Sequence, residues 1–214
     1  ADITFRAVKT LKTVSFIAAE DTRRTRKLLN HLDIKTKLIS YYEHNRFARI
    51  PQLLKHLESG KDVAVVTDAG TPGVSGRAYN LIRSVIQVDV KVEPIPGPSA
   101  FLTALVASGL PTDRFLFVGF LPPKKGRRKK LSDLASYEAT LIFYENPKRV
   151  VKTLSDIATF LGNRPAVVGR ELTKVHEEII RGTILELLSY FSLESPKGEC
   201  VIMIGKDDPN VYFG

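Results

Sequence analysis

The chain has 214 residues, 43% of them hydrophobic and 26% charged, with a net charge of +9. That is enough for one large or two small domains of ordinary globular composition, and no apolar run approaches the roughly 18 residues a membrane-spanning helix needs. Cys200 is the only cysteine, which excludes an intrachain disulfide and leads to the expectation of a cytoplasmic setting. The surplus of cations favours polyanionic partners without identifying one.

The apolar pattern alternates between helical and strand periods. Ile3, Ala7, Val8 and Leu11 fall at helical spacing behind Asp2, a good N-cap residue. Asp2, Arg6, Lys9 and Lys12 interrupt these positions, unlike the apolar stretch of a signal peptide. Val14 to Ala19 reads as a buried strand, Thr22 to Leu32 as a helix with Leu28, Leu29 and Leu32 on one face, and Lys37 to Tyr42 as a strand. A helix carrying Ile50, Leu53, Leu54 and Leu57 stops at Gly60. The β-branched run Val63 to Thr67 is expected to be a strand covered on both faces. A helix near Ala78 to Ile86, a strand around Val90 to Glu93 and a helix from about Ser99 complete this half. An α/β domain usually opens on a central strand, so a short N-terminal segment is expected to be missing from the chain.

The pattern resets around Gly109-Leu110-Pro111-Thr112, which places a domain boundary there, with an N-terminal α/β domain over 1–110 and a C-terminal one over 111–214. Phe115 to Phe120 is the next strand and Lys129 to Ser136 a helix. Thr140 to Tyr144 is a strand, and Asn146-Pro147 opens a helix whose buried stripe is Val150, Val151, Leu154 and Ile157. Ala166 to Val168, Glu178 to Arg181 and Cys200 to Ile204 are further strands, with a helix near Leu185 to Phe191. The fold class is α/β, with a largely parallel N-terminal sheet and a mixed C-terminal sheet.

Four segments lie where an open α/β sheet binds ligands, beyond the carboxyl ends of strands. In Asp68-Ala69-Gly70-Thr71-Pro72-Gly73, small residues admit a ligand to the backbone and Asp68 offers an acceptor, although the segment also reads as a turn-rich connection. Pro96-Gly97-Pro98-Ser99-Ala100 reads either as a plain loop or as a helix entry with Ser99 facing a ligand. Glu145-Asn146-Pro147 follows Phe143-Tyr144, an aromatic pair suited to stacking on a flat ring or to core packing. Gly169-Arg170-Glu171-Leu172-Thr173-Lys174, followed by His176, Glu177 and Glu178, reads as a polar cleft or as a solvated charged loop.

Two basic stretches stand apart. Lys124-Lys125-Gly126-Arg127-Arg128-Lys129-Lys130 holds six cations in seven positions, a density that reads either as a merely solvated run or as a mobile arm that orders on an RNA backbone. Arg23, Arg24, Arg26 and Lys27 sit at the start of a helix, where they oppose the helix dipole and where a bound anion would relieve the conflict. No phosphate-loop, dinucleotide or zinc-protease motif is present. His31, His44, His56 and His176 are at least twelve positions apart, so no metal site is expected.

Seven segments resemble, in order, those of the ribosomal RNA cytidine 2′-O-methyltransferases of the tetrapyrrole methylase superfamily. They are Ala19-Glu20-Asp21-Thr22-Arg23-Arg24-Thr25, Tyr42-Glu43-His44-Asn45, Asp68-Ala69-Gly70-Thr71-Pro72, Pro96-Gly97-Pro98-Ser99-Ala100, Gly119-Phe120-Leu121-Pro122, Tyr144-Glu145-Asn146-Pro147 and Gly169-Arg170-Glu171-Leu172-Thr173-Lys174. The resemblance implies a two-domain homodimer of tetrapyrrole methylase-like fold that methylates a ribose 2′-hydroxyl of a cytidine in small-subunit ribosomal RNA. S-adenosyl-L-methionine would lie in the cleft between the domains, against Asp68, Ala69, Gly70, Thr71, Ser99, Ala100, Tyr144 and Leu172, with Gly198 and Glu199 approaching from the second domain. Glu171 or Glu145 is expected to take the hydroxyl proton, with Lys174 and Arg170 on the neighbouring phosphate. Arg23, Arg24, Lys124, Lys125, Arg127, Arg128, Lys129 and Lys130 are expected to contact RNA, and Glu20 and Asp21 are weaker candidates for positioning it. Two departures are visible: this sequence starts just after the place of the family's opening strand and Pro-x-Gly-Asn turn, and it has Ser75-Gly76-Arg77-Ala78 in place of Ser-Asp-Pro-Gly. Two rival readings are a methylase of a small tetrapyrrole on the same fold and a non-catalytic RNA-binding protein.

Overall fold

The computed structural model describes residues 2–68, 70–74 and 78–213. The chain divides into two compact units, Ala1–Ser99 and Ala100–Gly214.

In the first unit, α1 (Phe5–Thr13), β1 (Phe16–Ala19), α2 (Thr22–His31), β2 (Lys37–Ser40), α3 (Arg46–Glu58), β3 (Val63–Val66) and α4 (Ala78–Gln87) follow one another. The strands form a parallel sheet in the order β2-β1-β3, with Ile17 beside Leu38 and Ala64, and Ala18 beside Ile39 and Val65. Alternation then sorts the side chains. Ile17, Leu38, Ala64 and Val66 meet Val8 and Leu11 of α1 and Leu29 of α2, whereas Ala18, Ile39, Val63 and Val65 meet Leu53 of α3 and Leu81 and Val85 of α4. Both faces of β3 are thus covered, as its β-branched run requires, yet its residues are only half-buried because β3 lies at an edge of this sheet.

Two expectations for this unit need correction. The cap of α1 is Thr4 rather than Asp2: its Oγ accepts the Ala7 N–H at 3.1 Å. Val90–Glu93 forms no strand. Asp89 turns the chain with φ 55°, the Val90 N–H closes the end of α4 on the Val85 carbonyl, and residues 90–99 run on as irregular chain. Val90 packs on the core while Val92 is exposed, so the two valines anchor a coil at one point only.

The second unit contains α5 (Ala100–Ser108), β4 (Phe115–Phe120), α6 (Arg127–Leu134), β5 (Thr140–Glu145), α7 (Val150–Leu161), β6 (Pro165–Arg170), β7 (Glu178–Thr183), α8 (Ile184–Leu193) and β8 (Cys200–Ile204). The sheet order is β4-β5-β8-β6-β7; β4 and β5 are parallel and the other pairings antiparallel. The central strand β8 is buried throughout. One face, with Leu141, Phe143, Val168 and Ile202, packs on Leu131 of α6, Leu154 and Ile157 of α7 and Leu187 and Phe191 of α8. The other face, with Ile142, Val167, Val201 and Met203, packs on Ala104 and Leu105 of α5. That packing draws α5 into the second unit, so the division falls after Ser99 instead of near Gly109. Asn146 caps a 3₁₀ turn (Pro147–Arg149) leading into α7, its Oδ1 accepting from the Lys148 N–H at 3.0 Å.

Candidate functional site

In the first unit the candidate residues collect at the carboxyl ends of the strands. Asp68 follows β3 and its Oδ1 accepts from the Asp21 N–H at 3.3 Å, joining the ends of β1 and β3. The Arg24 guanidinium lies 3.9 Å from the other Asp68 oxygen. Gly70 has φ 71°, a left-handed conformation that favours glycine, and a Cβ there would meet no atom within 4 Å. Its backbone therefore borders open space. The Thr71 hydroxyl donates to the Pro98 carbonyl at 3.3 Å, drawing this loop to the segment that ends at Ser99. Ala69 and the departure at Ser75, Gly76 and Arg77 lie outside the described residues.

Two of the cations at the start of α2, Arg23 and Arg24, are answered from within the chain. Asp21 caps the helix, its Oδ1 accepting the N–H groups of Arg23 at 2.8 Å and Arg24 at 3.4 Å. The Arg23 guanidinium closes on the same carboxylate, which it holds down to about 2. This carboxylate relieves the conflict with the helix dipole, so no external anion is needed for it. Glu20, Asp21, Thr22, Arg23, Ser40 and Tyr42 line a shallow depression at the ends of β1 and β2.

In the second unit β8 runs antiparallel to β5 and β6, so its entry lies beside their carboxyl ends. Tyr144 projects from β5 as a half-buried ring among Phe117 at 5.0 Å and Phe120 at 5.7 Å, with Leu172 in the same cluster. Its hydroxyl accepts from the Phe101 N–H, next to Ala100, at 3.3 Å, and burial pushes the phenol up. The neighbouring Phe143 is wholly in the core. Of the aromatic pair, only Tyr144 is placed to meet a ring.

Glu171, Lys174, Gly198 and Glu199 form one knot. Glu171 has φ 50°; its N–H donates to the Glu199 carbonyl, and its Oε1 accepts the Glu199 N–H and the Lys174 ammonium, each at 2.9 Å. Lys174 also reaches the Glu199 carboxylate at 2.9 Å. Lys174 first, and then the Glu199 N–H, hold the Glu171 carboxyl below the ordinary range, and the two acids hold Lys174 up. Gly198 takes φ 82°, and a Cβ there would collide with the Glu171 carboxylate.

Three sequence candidates have other engagements. Glu145 is 3% exposed and fully committed: Oε1 takes the Asn146 N–H at 2.8 Å and Arg149 Nε at 3.1 Å, and Oε2 takes Arg149 Nη2 at 3.2 Å and the Thr153 hydroxyl at 2.6 Å. It sits inside a buried network, with both carboxylate oxygens already engaged, unlike the exposed acceptor expected of a base. Arg127 is 6% exposed and bonded to Asp156, Thr153 and the Pro122 carbonyl, so its guanidinium is engaged inside the unit. Arg170 pairs with Glu178 across β6 and β7 at 2.6 Å. The other cations of the stretch, Lys124, Lys125, Arg128, Lys129 and Lys130, are exposed. They occupy an ordered turn and the first turn of α6, which begins at Arg127 instead of Lys129. Sequence reasoning missed Arg149, Thr153 and Asp156. A threonine inside the apolar stripe of α7, and an arginine four residues after Glu145, were the available signals.

The family of Tetrapyrrole (Corrin/Porphyrin) Methylases matches residues 1–188. A protein of Halalkalibacterium halodurans named ribosomal RNA small subunit methyltransferase I is 50% identical over 97% of this chain and 72% of its own length. A protein of the same name from Thermotoga maritima is 44% identical over 96% of this chain and 93% of its own. Among solved structures, a cobalt precorrin-4 methyltransferase of cobalamin biosynthesis superposes with a TM-score of 0.70 at 19% identity, covering 95% of this chain and 88% of that one. Uroporphyrin-III-C-methyltransferase from Thermus thermophilus gives 0.68 at 18%, covering 96% and 88%. At such identities these two likenesses speak for the fold alone.

Proposed function

We propose, given that this chain belongs to the tetrapyrrole methylase family and groups there with the ribosomal RNA small subunit methyltransferase I proteins, that it transfers a methyl group from S-adenosyl-L-methionine to the ribose 2′-hydroxyl of a cytidine in small-subunit ribosomal RNA. The observation that favours RNA over a small macrocycle is the exposed row of cations after β4: Lys124, Lys125, Arg128, Lys129 and Lys130. A macrocycle needs no such surface, whereas a polyanion is held by it.

The residues fit the cofactor. In the first unit the Gly70 backbone borders open space and Asp68 supplies an acceptor; in the second the half-buried Tyr144 ring and Leu172 supply an apolar surface. Asp68, Ala69, Gly70, Thr71 and Ser99 from the first unit, and Ala100, Tyr144, Leu172, Gly198 and Glu199 from the second, would hold it. When bound, the sulfonium supplies an electrophilic methyl group.

Methyl transfer to oxygen is an in-line displacement, so placing the acceptor supplies much of the rate, and the hydroxyl must lose its proton as the bond forms. Between the two carboxylates first considered, Glu171 is the partly exposed one, with 20% of its side chain accessible. In this reading Glu171, ionised at neutral pH, accepts that proton, and Lys174 fixes its orientation and faces the neighbouring phosphate. The reading includes a homodimer in the cytoplasm, checked by light scattering of the purified chain and by fractionation.

Two measurements test it. Calorimetry with S-adenosyl-L-methionine on the full chain separates an enzyme from a protein that only binds RNA. A methyl-transfer assay on small ribosomal subunits, free RNA and a porphyrinoid identifies the substrate. Methylation of the porphyrinoid alone would overturn the RNA reading. Glu171→Gln is expected to lower kcat by about 10²-fold or more; an unchanged rate would remove Glu171 as the base.

A further inference from the structure

The buried network around Glu145 ends, on its other side, at the basic turn. The Thr153 hydroxyl donates to Glu145 Oε2 at 2.6 Å and accepts from Arg127 Nη2 at 2.8 Å. Arg127 Nη1 then reaches the Pro122 carbonyl at 3.3 Å, and its Nε binds Asp156 at 2.7 Å. Arg149 binds Glu145 and, through Nη2, the Leu121 carbonyl at 3.2 Å. Both ends of the segment that carries Lys124 and Lys125 are therefore tied down: the Leu121 carbonyl by Arg149, which holds Glu145 of β5, and the Arg127 side chain by Asp156 and Thr153 of α7, while Arg127 also closes the segment on its own Pro122 carbonyl. Glu145, Arg127 and Thr153 are buried there, Asp156 and Arg149 close the network from its partly exposed rim, and each group is matched by a partner.

A run of six cations in seven positions repels itself and on its own would stay loose. A segment ordered only on binding forfeits affinity to the entropy of ordering. We infer that Glu145, Thr153 and Arg149 are positioning residues for RNA: through Arg127 they hold the Lys124–Lys130 turn in shape before the substrate arrives. The inference rests on the RNA reading above. Within it, Thr153 is the relay, because its hydroxyl is the only link between the Glu145 carboxylate and Arg127 among the described residues.

Thr153→Val keeps the shape of the side chain and removes the relay; Thr153→Ser restores a hydroxyl. Hydrogen exchange of the free full-length protein, together with steady-state methylation of small subunits, tests the inference. Thr153→Val is expected to speed amide exchange across residues 121–130 at least fivefold and to raise KM for the subunit by about three- to tenfold. Its kcat should stay within twofold and its salt slope should be unchanged, because the same cations remain to meet phosphate. Thr153→Ser should resemble the parent in both readouts, and Glu145→Gln should resemble Thr153→Val. Unaltered exchange over 121–130 in Thr153→Val overturns the inference, and so does a fall in kcat at saturating subunit with KM unchanged. The RNA reading is judged separately, by Lys124→Ala with Lys125→Ala: an unchanged salt slope there sinks that reading, while the exchange result, taken without RNA, still decides whether the relay shapes the turn.

Discussion

At the scale of single residues, the knot at Glu171 depends on a glycine. Gly198 has φ 82°, and a side chain there would drive into the Glu171 carboxylate, which also bonds Lys174 and the Glu199 N–H. Gly198→Ala therefore combines backbone strain with a steric clash, and we expect it to destabilise the fold by about 1–3 kcal/mol. A urea titration measures this, and Glu171→Ala in the same chain should recover the steric part, leaving the conformational part. Full additivity of the two substitutions would mean that they do not meet. Asp21 offers a test with pH. Its carboxyl is held from an ordinary value of 3.8 down to about 2, first by the Arg23 side chain and then by the Arg23 N–H. The folded state thus binds this proton less readily than the unfolded one. The resulting stabilisation is fully present above about pH 4 and is lost as pH falls toward 2. Asn is an equally good cap without a charge, so Asp21→Asn should flatten this acid limb of the melting-temperature profile while leaving α2 helical by circular dichroism. A limb of unchanged steepness would refute the assignment.

At the scale of elements, strong periodicity was read well and chemistry at the ends was not. The strands of the second unit, β4 to β8, sit where alternation and β-branched runs put them, because burial on a pleat leaves a period of two in the sequence. Val90–Glu93 carried only two apolar residues, Val90 and Val92, and one of them faces solvent, so a short alternation imitated a strand. The start of α6 was missed for the opposite reason. Arg127 looks like surface charge in a sequence, and only its partners Asp156 and Thr153, supplied from α7, make it an interior residue. Glu145 was drawn into the candidate chemistry by its place at a strand end, and the same placement lets α7 enclose it. Caps were partly legible: Asn146 was read correctly, Thr4 was passed over for Asp2, and Thr183 was not singled out at all. Thr183 forms a full capping box with Glu186 at the start of α8, its hydroxyl accepting the Glu186 N–H while the Glu186 carboxylate takes the Thr183 N–H at 2.7 Å. Thr183→Ala is expected to lower stability by about 1 kcal/mol, read as a shifted urea midpoint with an unchanged slope. No shift would mean that the tight packing of Ile184, Leu187 and Phe191 holds α8 without its cap.

At the scale of the whole molecule, the charge of +9 said only that polyanions would be attracted; the structure says which part of that charge is free to act. Arg127 is spent on Asp156 and Arg170 on Glu178, whereas Arg23 beside Asp21 and Lys174 beside two carboxylates are paired but still partly open to solvent. The exposed cations of the basic turn, in contrast, stand together on a short stretch whose ends are fixed. Long-range attraction follows the net charge, but the salt dependence of binding counts the cations that meet phosphates. The two can therefore be separated. Replacing Lys124, Lys125, Arg128 and Lys129 by Ala should reduce the slope of log K against log salt by roughly 0.7 for each cation that neutralises a single-strand phosphate. Replacing four exposed cations elsewhere, such as Arg6, Lys9, Lys12 and Lys35, changes the net charge equally and should slow association at low salt with little effect on the slope. Binding of small subunits across a salt series, measured for both variants, decides between a localised RNA contact and a diffuse field. Equal slopes in the two variants would mean that the turn after β4 is no more than one part of a basic surface.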